Sequence, residues 1–236
     1  MKYEKTQKGN PYNLVTNQHI FPVKSIERFV DSSGTVDVFN KNLSKRLRLK
    51  PEDKLFCARR VWDQKSELGY MKKIEDSFQI LASKICDCKI TTLGPSESQT
   101  VTEFIALWEF RFYRNLNPLN DSKLKGILPG KPWTKDEEER LEKSNIVFLR
   151  NDGTCATVPS RFMTGLNILM LIDERRAQFG NLKWGIVKSV EGEFVVPDSF
   201  RNTTIIPKSE VVRVNQTAVS VSTFYYFSRD LSSCPL

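Results

Sequence analysis

Residues 17–29 read NQHIFPVKSIERF, and the predicted fold starts from this stretch. Within it stands His19, the only histidine among 236 residues. Pro22 suits the first turn of a helix, and Val23, Ile26 and Phe29 follow at spacings of three. The stretch therefore predicts a short helix with one apolar face. Because an imidazole titrates near neutral pH, His19 is the first candidate for chemistry.

A β-hairpin is predicted directly after this helix. Residues 35–39 alternate between apolar and polar side chains, and residues 46–49 alternate again after a turn rich in asparagine. Two basic side chains thereby share one strand face, which suits either a phosphate-binding strip or a solvated edge strand. The candidate nucleic-acid-binding residues are Lys24, Arg28, Arg46 and Arg48.

The positive charge of the chain is concentrated in its first part. The formal net charge is +8, and residues 1–50 carry ten Lys and Arg against four Asp and Glu, which gives +6 there. This bias permits contact with phosphates or an acidic partner, although solvated lysines produce the same balance in many proteins. Residues 1–16 are polar and are expected to be irregular.

Three apolar helices are predicted for the middle of the chain, at about residues 68–85, 101–113 and 159–180. Glu75 lies beside the apolar stripe of the first. Arg111 lies in the second, where a charge must be paired, reach solvent or face a pocket. The residues of the first and third helices expected in the core are Leu68, Met71, Ile74, Phe78, Leu81, Ile85, Phe162, Leu166, Leu169, Met170, Leu171 and Ile172.

The remaining segments complete an α+β class. Thr134 and Glu137 have the spacing of a capping box, which predicts a polar helix over residues 135–144 with a solvated acidic face. Residues 182–227 contain several short apolar runs separated by turn residues, which predict strands. We expect one domain over residues 1–236, with an N-terminal helix and hairpin, a central helical core and a C-terminal antiparallel sheet.

Several common functional classes lack their signatures. The five cysteines have no metal-type spacing, and no Gly-rich phosphate loop, Ser-His-Asp order or nucleotide fingerprint is present. No apolar run approaches the roughly 20 residues of a membrane span, and the first ten residues lack the apolar core of a signal peptide. These features argue against ATPases, acyl transferases and dehydrogenases, and predict a cytoplasmic protein with reduced thiols.

Taken in order, these segments resemble the bacterial and phage-borne family called domain of unknown function 4238. That family opens with a His-x-x-Pro element and a helix ending in Leu-x-x-Phe, and continues with a Gly-turn into a strand, an acidic helix and a helix with a glutamine and an arginine. The matching segments are residues 19–22, 26–29, 34–39, 74–78 and 104–111. Trp108 replaces the usual glutamine, and Asp198 is the strict match to a later Ser-Asp-Asn-Pro element.

The polar positions that match the family form one candidate catalytic set: His19, Glu75, Arg111 and Asp198. Such a set could cleave a phosphodiester without metal, with Glu75 as base, His19 as acid and Arg111 stabilising the developing charge. Alternatively, Glu75 and Asp198 would hold Mg²⁺ or Mn²⁺, with His19 as a third ligand or as the base. In the structural alternative, His19 caps a helix, Glu75 pairs with Arg111 and Asp198 holds a turn.

Two functional classes therefore stay open. The first is a nuclease or related phosphoesterase, with RNA favoured as the substrate because its 2′-hydroxyl can supply the nucleophile, and with a role in phage–host conflict. The second is a non-catalytic module that binds nucleic acid or a protein partner. The distance between His19 and the Glu75 and Arg111 side chains is the geometry that separates them.

Overall fold

The computed structural model describes residues 3–127, 130–151, 154–180, 184–187 and 196. Its helices are α1 (Val23–Ile26), α2 (Gln64–Ser66), α3 (Lys72–Cys86), α4 (Pro95–Leu116), α5 (Lys135–Lys143) and α6 (Ser160–Phe179). Its strands are β1 (Asn17–His19), β2 (Val36–Asn40), β3 (Lys45–Leu49), β4 (Cys57–Arg59), β5 (Ser122–Leu124), β6 (Arg150–Asn151) and β7 (Ala156–Val158). They form three small antiparallel sheets, β1–β4, β2–β3 and β5–β7–β6, which together with the helices confirm the α+β class.

The predicted hairpin is present as β2 and β3. Val36 pairs with Leu49 and Val38 with Leu47, and these four apolar side chains form the inner, more buried face. The intervening residues point to the opposite, exposed face because side chains alternate along a strand. The predicted C-terminal sheet at residues 182–227 lies almost entirely outside the described residues.

The core lies where α3, α4 and α6 pack against one another. Phe78 of α3 stacks on Phe104 of α4 with ring centroids 3.6 Å apart, and Ile168 and Ile172 of α6 are fully buried beside them. The three predicted apolar helices therefore form the centre of the described part of the chain. No helix among the described residues is long and apolar enough to cross a membrane.

The prediction that Leu68 is a core residue is wrong. Residues Glu67–Met71 form a π-helical turn between α2 and α3, and Gly69 inside it has non-helical backbone angles of φ −93° and ψ −111°. A π-turn shifts the helical phase of the residues before it relative to those after it. Leu68 is therefore 51% exposed, whereas Met71 and Ile74 are buried as expected.

Two predicted core residues of α6 are also exposed. Leu166 is 51% and Met170 60% exposed, whereas Ile168 and Ile172 are fully buried. Residues two positions apart lie about 200° apart around a helix axis, so these two pairs occupy opposite sides. The apolar pattern of α6 thus extends over both faces, and only one of them packs on the core.

The capping box of α5 is confirmed, because the Thr134 side chain accepts from the Glu137 backbone and the Glu137 side chain accepts from the Thr134 backbone. The prediction of a solvated acidic face is wrong. Glu138, Glu139 and Glu142 are all buried. Since buried carboxylates need partners, the burial of these acids implies a charge network around α5. The sequence pattern of α5 does not indicate this network.

Candidate functional site

Two of the predicted site residues, Glu75 and Arg111, form a direct ion pair. Arg111 on α4 is 1% exposed, and its Nη1 donates to Oε1 of Glu75 on α3. Its Nη2 lies 3.3 Å from Oε2 of Glu67, an acid that the sequence did not single out. The guanidinium is therefore held between two carboxylates, with both terminal nitrogens engaged.

Trp62 contacts both Arg111 and Glu67. Its ring centroid is 5.3 Å from Arg111 Cζ, which is a cation–π distance, and its indole Nε1 donates to Oε2 of Glu67. Glu67 belongs to the π-helical turn, and such turns occur frequently at functional sites. The turn therefore brings Glu67 to a position where one carboxylate oxygen serves both Trp62 and Arg111.

The charge of Arg111 is stabilised in spite of its burial. Burial alone would lower the pKa of the guanidinium, but the carboxylates of Glu67 and Glu75 outweigh this effect and raise it. Its Nε has no hydrogen-bond partner among the described residues. A group with both Nη atoms engaged and 1% exposure cannot clamp a phosphate unless a buried pair breaks first.

His19 is placed on β1, opposite Cys57 of β4. Its Nε2 is 3.2 Å from the carbonyl oxygen of Pro51, and this contact links β1 to the turn before β4. In the part of the chain that the structure describes, no hydrogen bond or ion pair links His19 to Glu75 or Arg111. The structure thus brings together two members of the predicted set and leaves His19 with another partner.

The catalytic prediction also includes Asp198 and a metal ion. Asp198 lies outside the described residues. Within the described ranges, no group of three or more His, Cys, Asp or Glu side chains could hold a metal ion.

Trp108, which replaces the glutamine usual in the resembled family, packs against Phe21 with ring centroids 4.3 Å apart. That position therefore contributes apolar contact to the His-x-x-Pro element.

Three of the four predicted nucleic-acid-binding cations are engaged by neighbouring side chains. Lys24 is 3.7 Å from Asp76, and Arg28 donates to both the side chain and the backbone carbonyl of Gln79. Arg48 pairs with Asp31 and, at 3.6 Å, with Asp37, and also donates to Ser33. These cations keep exposed surface to differing degrees, but each already has a polar or acidic partner.

Arg46 differs from the other three. It is exposed on β3, and its side chain makes no hydrogen bond or ion pair to another described residue. Its cross-strand partner is Phe39, which is 61% exposed. Arg46 and Phe39 therefore form an uncovered pair of a cation and an aromatic ring on the outer face of the hairpin.

A second charge network, which the sequence did not predict, surrounds α5. Arg60 Nη2 and Arg161 Nε donate to the same oxygen of Glu142, at 2.6 Å and 2.8 Å. Arg150 donates from Nε and Nη2 to the carboxylate of Glu138, both at 2.7 Å. In the sequence, α5 has three acids at helical spacing, Glu138, Glu139 and Glu142, and such a pattern is typical of a solvated helix face. Their arginine partners all come from outside α5.

No protein-family model, no curated protein and no solved structure matches this chain.

Proposed function

We propose that this chain is a non-catalytic module that binds single-stranded nucleic acid with the outer face of the β2–β3 hairpin. The observation that carries the proposal is the exposed Phe39 beside the unengaged Arg46. Single-stranded nucleic acids are bound by aromatic rings that stack on bases together with cations that contact the backbone. The hairpin supplies one of each at neighbouring positions on one sheet face.

The charge around the hairpin supports the same partner. Lys41 lies in its loop, Lys45 is the first residue of β3, on the side of Leu47 and Leu49, and Lys50 follows β3; all three are exposed. The acids Asp31, which precedes β2, and Asp37, on the outer face, are both paired with Arg48. Within residues 36–50, the charges that have no partner among the described residues are therefore positive, which favours a polyanion.

A binding assay with variants of the hairpin tests the proposal. Labelled single-stranded RNA, single-stranded DNA and duplex DNA would be titrated with the protein at several salt concentrations, and binding followed by fluorescence anisotropy. Phe39→Ala should weaken single-strand binding by about 5- to 150-fold, as expected for one lost stacking contact. Arg46→Gln should reduce the slope of log K against log salt by about 0.7, the value for one phosphate of a single strand.

Matched variants elsewhere on the surface provide the controls. Ile80 is 60% exposed, close to the 61% of Phe39, so Ile80→Ala removes a similarly exposed apolar side chain from α3. Lys73→Gln removes an exposed charge from the same helix. Arg48→Gln should weaken binding less than Arg46→Gln, because Arg48 is already paired. If the hairpin variants bind no more weakly than these controls, the hairpin is not the contact surface.

A phosphodiesterase, with RNA as the favoured substrate, is the second candidate. It is favoured by the contact between Glu75 and Arg111, together with the 25% exposure of the Glu75 side chain, which leaves that carboxylate within reach of a ligand. Cleavage of labelled RNA and DNA would be measured with and without Mg²⁺ or Mn²⁺ for wild type, His19→Ala and Glu75→Gln. Cleavage that both substitutions abolish in stably folded protein supports an enzyme. Absence of cleavage, or equal cleavage by all three proteins, refutes it.

Membership in the domain of unknown function 4238 family, with a role in phage–host conflict, is part of this second proposal. It is supported by the packing of three matching segments against one another. Phe21 of residues 19–22 contacts Trp108, and Phe78 of residues 74–78 stacks on Phe104. A challenge of bacteria carrying or lacking the intact gene with a panel of phages tests the role, and equal plating of every phage on both strains would contradict it.

A further inference from the structure

The carboxylate of Glu4 lies among three cations from three different elements. It accepts from Lys135 Nζ of α5, from Arg150 Nη2 of β6 at 2.8 Å, and from Arg161 Nη1 of α6. Burial would raise the pKa of Glu4, but the charge of Arg161, with those of Lys135 and Arg150, lowers it to about 2. Glu4 is thus firmly ionised and bound as an anion by the rest of the protein.

The two arginines are held in place without help from Glu4. Arg150 is bound by Glu138, and Arg161 by Glu142 at 2.8 Å. Arg161 is 3% exposed and lies on a long helix, and its Nη2 has no hydrogen-bond partner among the described residues. Preorganised donors of this kind bind an oxyanion with little further ordering.

The cations around Glu4 belong to a wider charge network. Arg150 pairs with Glu138, Arg161 with Glu142, and Lys135 lies 3.7 Å from Glu139. Asp121 approaches Arg150 Nη1 at 3.5 Å from the exposed margin of the network. Glu4 is the acid that contacts all three cations at once. An oxyanion that replaces Glu4 would therefore meet all three.

The segment that delivers Glu4 is held mainly by polar contacts. None of residues 3–13 is buried. Gln7 donates from its backbone nitrogen and its side chain to Glu139, at 2.9 Å and 3.2 Å, and the Tyr12 hydroxyl donates to Asp136. Segments with few buried apolar contacts open at low free-energy cost. Glu4 can therefore leave the three cations without disrupting the core.

We propose that Lys135, Arg150 and Arg161 form an oxyanion-binding cradle, which Glu4 occupies as an internal ligand and which an external carboxylate or phosphate group takes when the N-terminal segment opens. The segment then acts as a built-in competitor of that ligand. The site is separate from the hairpin and does not depend on the function proposed for it.

Chemical rescue of a Glu4 variant tests this proposal on the full chain. Thermal melts of wild type and Glu4→Ala would be recorded in acetate, inorganic phosphate and chloride at equal ionic strength and pH 7. Glu4→Ala should melt lower than wild type in chloride. Acetate or phosphate should restore about 2–4 °C or more, because a ligand that binds only the folded state raises its stability. The more effective anion identifies the class of ligand.

Three results would overturn the proposal. Equal melting of Glu4→Ala in all three salts would show that the cradle binds no external oxyanion. An equal gain by wild type would place the anion elsewhere, since Glu4 occupies the cradle there. An undiminished rescue of the double variant Glu4→Ala/Arg150→Met would exclude Arg150, which is more exposed than Arg161 (29% against 3%) and can be replaced with less risk to folding. Glu4→Gln, which keeps the size of the side chain, repeats the test if the alanine variant expresses poorly.

Discussion

Replacing Glu142 by glutamine should destabilise the protein strongly, although the side chain keeps its size. The Glu142 side chain is 2% exposed, and it accepts from Arg60 at 2.6 Å and Arg161 at 2.8 Å. The variant leaves two buried guanidinium groups without their shared negative charge. Removing one partner of a buried ion pair typically costs about 3–5 kcal/mol. Because the glutamine oxygen can still accept one hydrogen bond, we expect the lower end, about 3 kcal/mol.

Urea denaturation at pH 7 measures this loss directly, through the midpoint and slope of the transition. A loss of about 3 kcal/mol corresponds to a melting temperature lower by about 6–12 °C for a chain of this size. Asp87→Asn is the matched control, because the Lys89–Asp87 pair has the same type of contact at 2.6 Å but is 68% and 52% exposed. Exposed pairs of this kind contribute about 0–1 kcal/mol.

Two further measurements separate a buried pair from a surface pair. The loss in Glu142→Gln should persist in high salt, since buried charges are screened much less than exposed ones. In a double-mutant cycle with Arg161→Gln, the coupling energy should be at least about 1 kcal/mol. A loss below about 1 kcal/mol, or one that disappears with salt, would refute the reasoning that this network is a buried part of the folded structure.

Three other predictions follow from individual contacts. Gly165→Ala should cost about 1–3 kcal/mol in thermal or urea unfolding, because a Cβ there would lie 2.2 Å from Oδ2 of Asp63. The stability difference between wild type and Glu4→Gln should be full above pH 4.5 and vanish as the pH falls through about 2, since the folded state lowers the Glu4 pKa from 4.5 to about 2. Cys57 should react with iodoacetamide at pH 8 more slowly than the exposed Cys88, as peptide mass spectrometry can show, because burial and nearby acids raise its pKa to about 11.

Each of these predictions has a control on the same chain. Gly130→Ala adds a Cβ that meets no atom of the described residues within 4 Å, so it should leave stability nearly unchanged. Glu52→Gln removes an exposed acid and should show no comparable pH-dependent difference. In urea, the reaction rates of the thiols should become similar, because unfolding removes the environment that protects Cys57. Protection that survives unfolding would contradict the explanation from burial.

Local patterns predicted the elements whose formation depends on neighbouring residues. The hairpin follows from a turn and two alternating segments, and the predicted range of residues 159–180 contains the whole of α6. The contact between Glu75 and Arg111 was anticipated as one of two alternatives, because a charge in an apolar helix needs a partner. The residues that determine the hairpin and α6 are close in sequence. Arg111 is recognisable because it is a charged residue in an apolar helix.

The features that were missed depend on geometry that no local pattern contains. The exposure of Leu68 results from the π-helical turn, whose one extra residue per turn changes the direction of every preceding side chain. The burial of Glu142 depends on Arg60, 82 residues away, and Arg161, 19 residues away. Neither the spacing nor the neighbouring residues of Glu142 indicate that these two arginines are its partners.

Burial also decides how functional variants can be interpreted. Glu75 and Arg111 are tied to Glu67 and Trp62, so a substitution at either position changes both a candidate site and the stability of the fold. A loss of activity there would have two explanations unless unfolding is measured in parallel. Phe39 and Arg46 project from the outer face of the hairpin, where substitutions usually change stability by less than about 0.5 kcal/mol. Weaker binding by these hairpin variants can therefore be attributed to a lost contact.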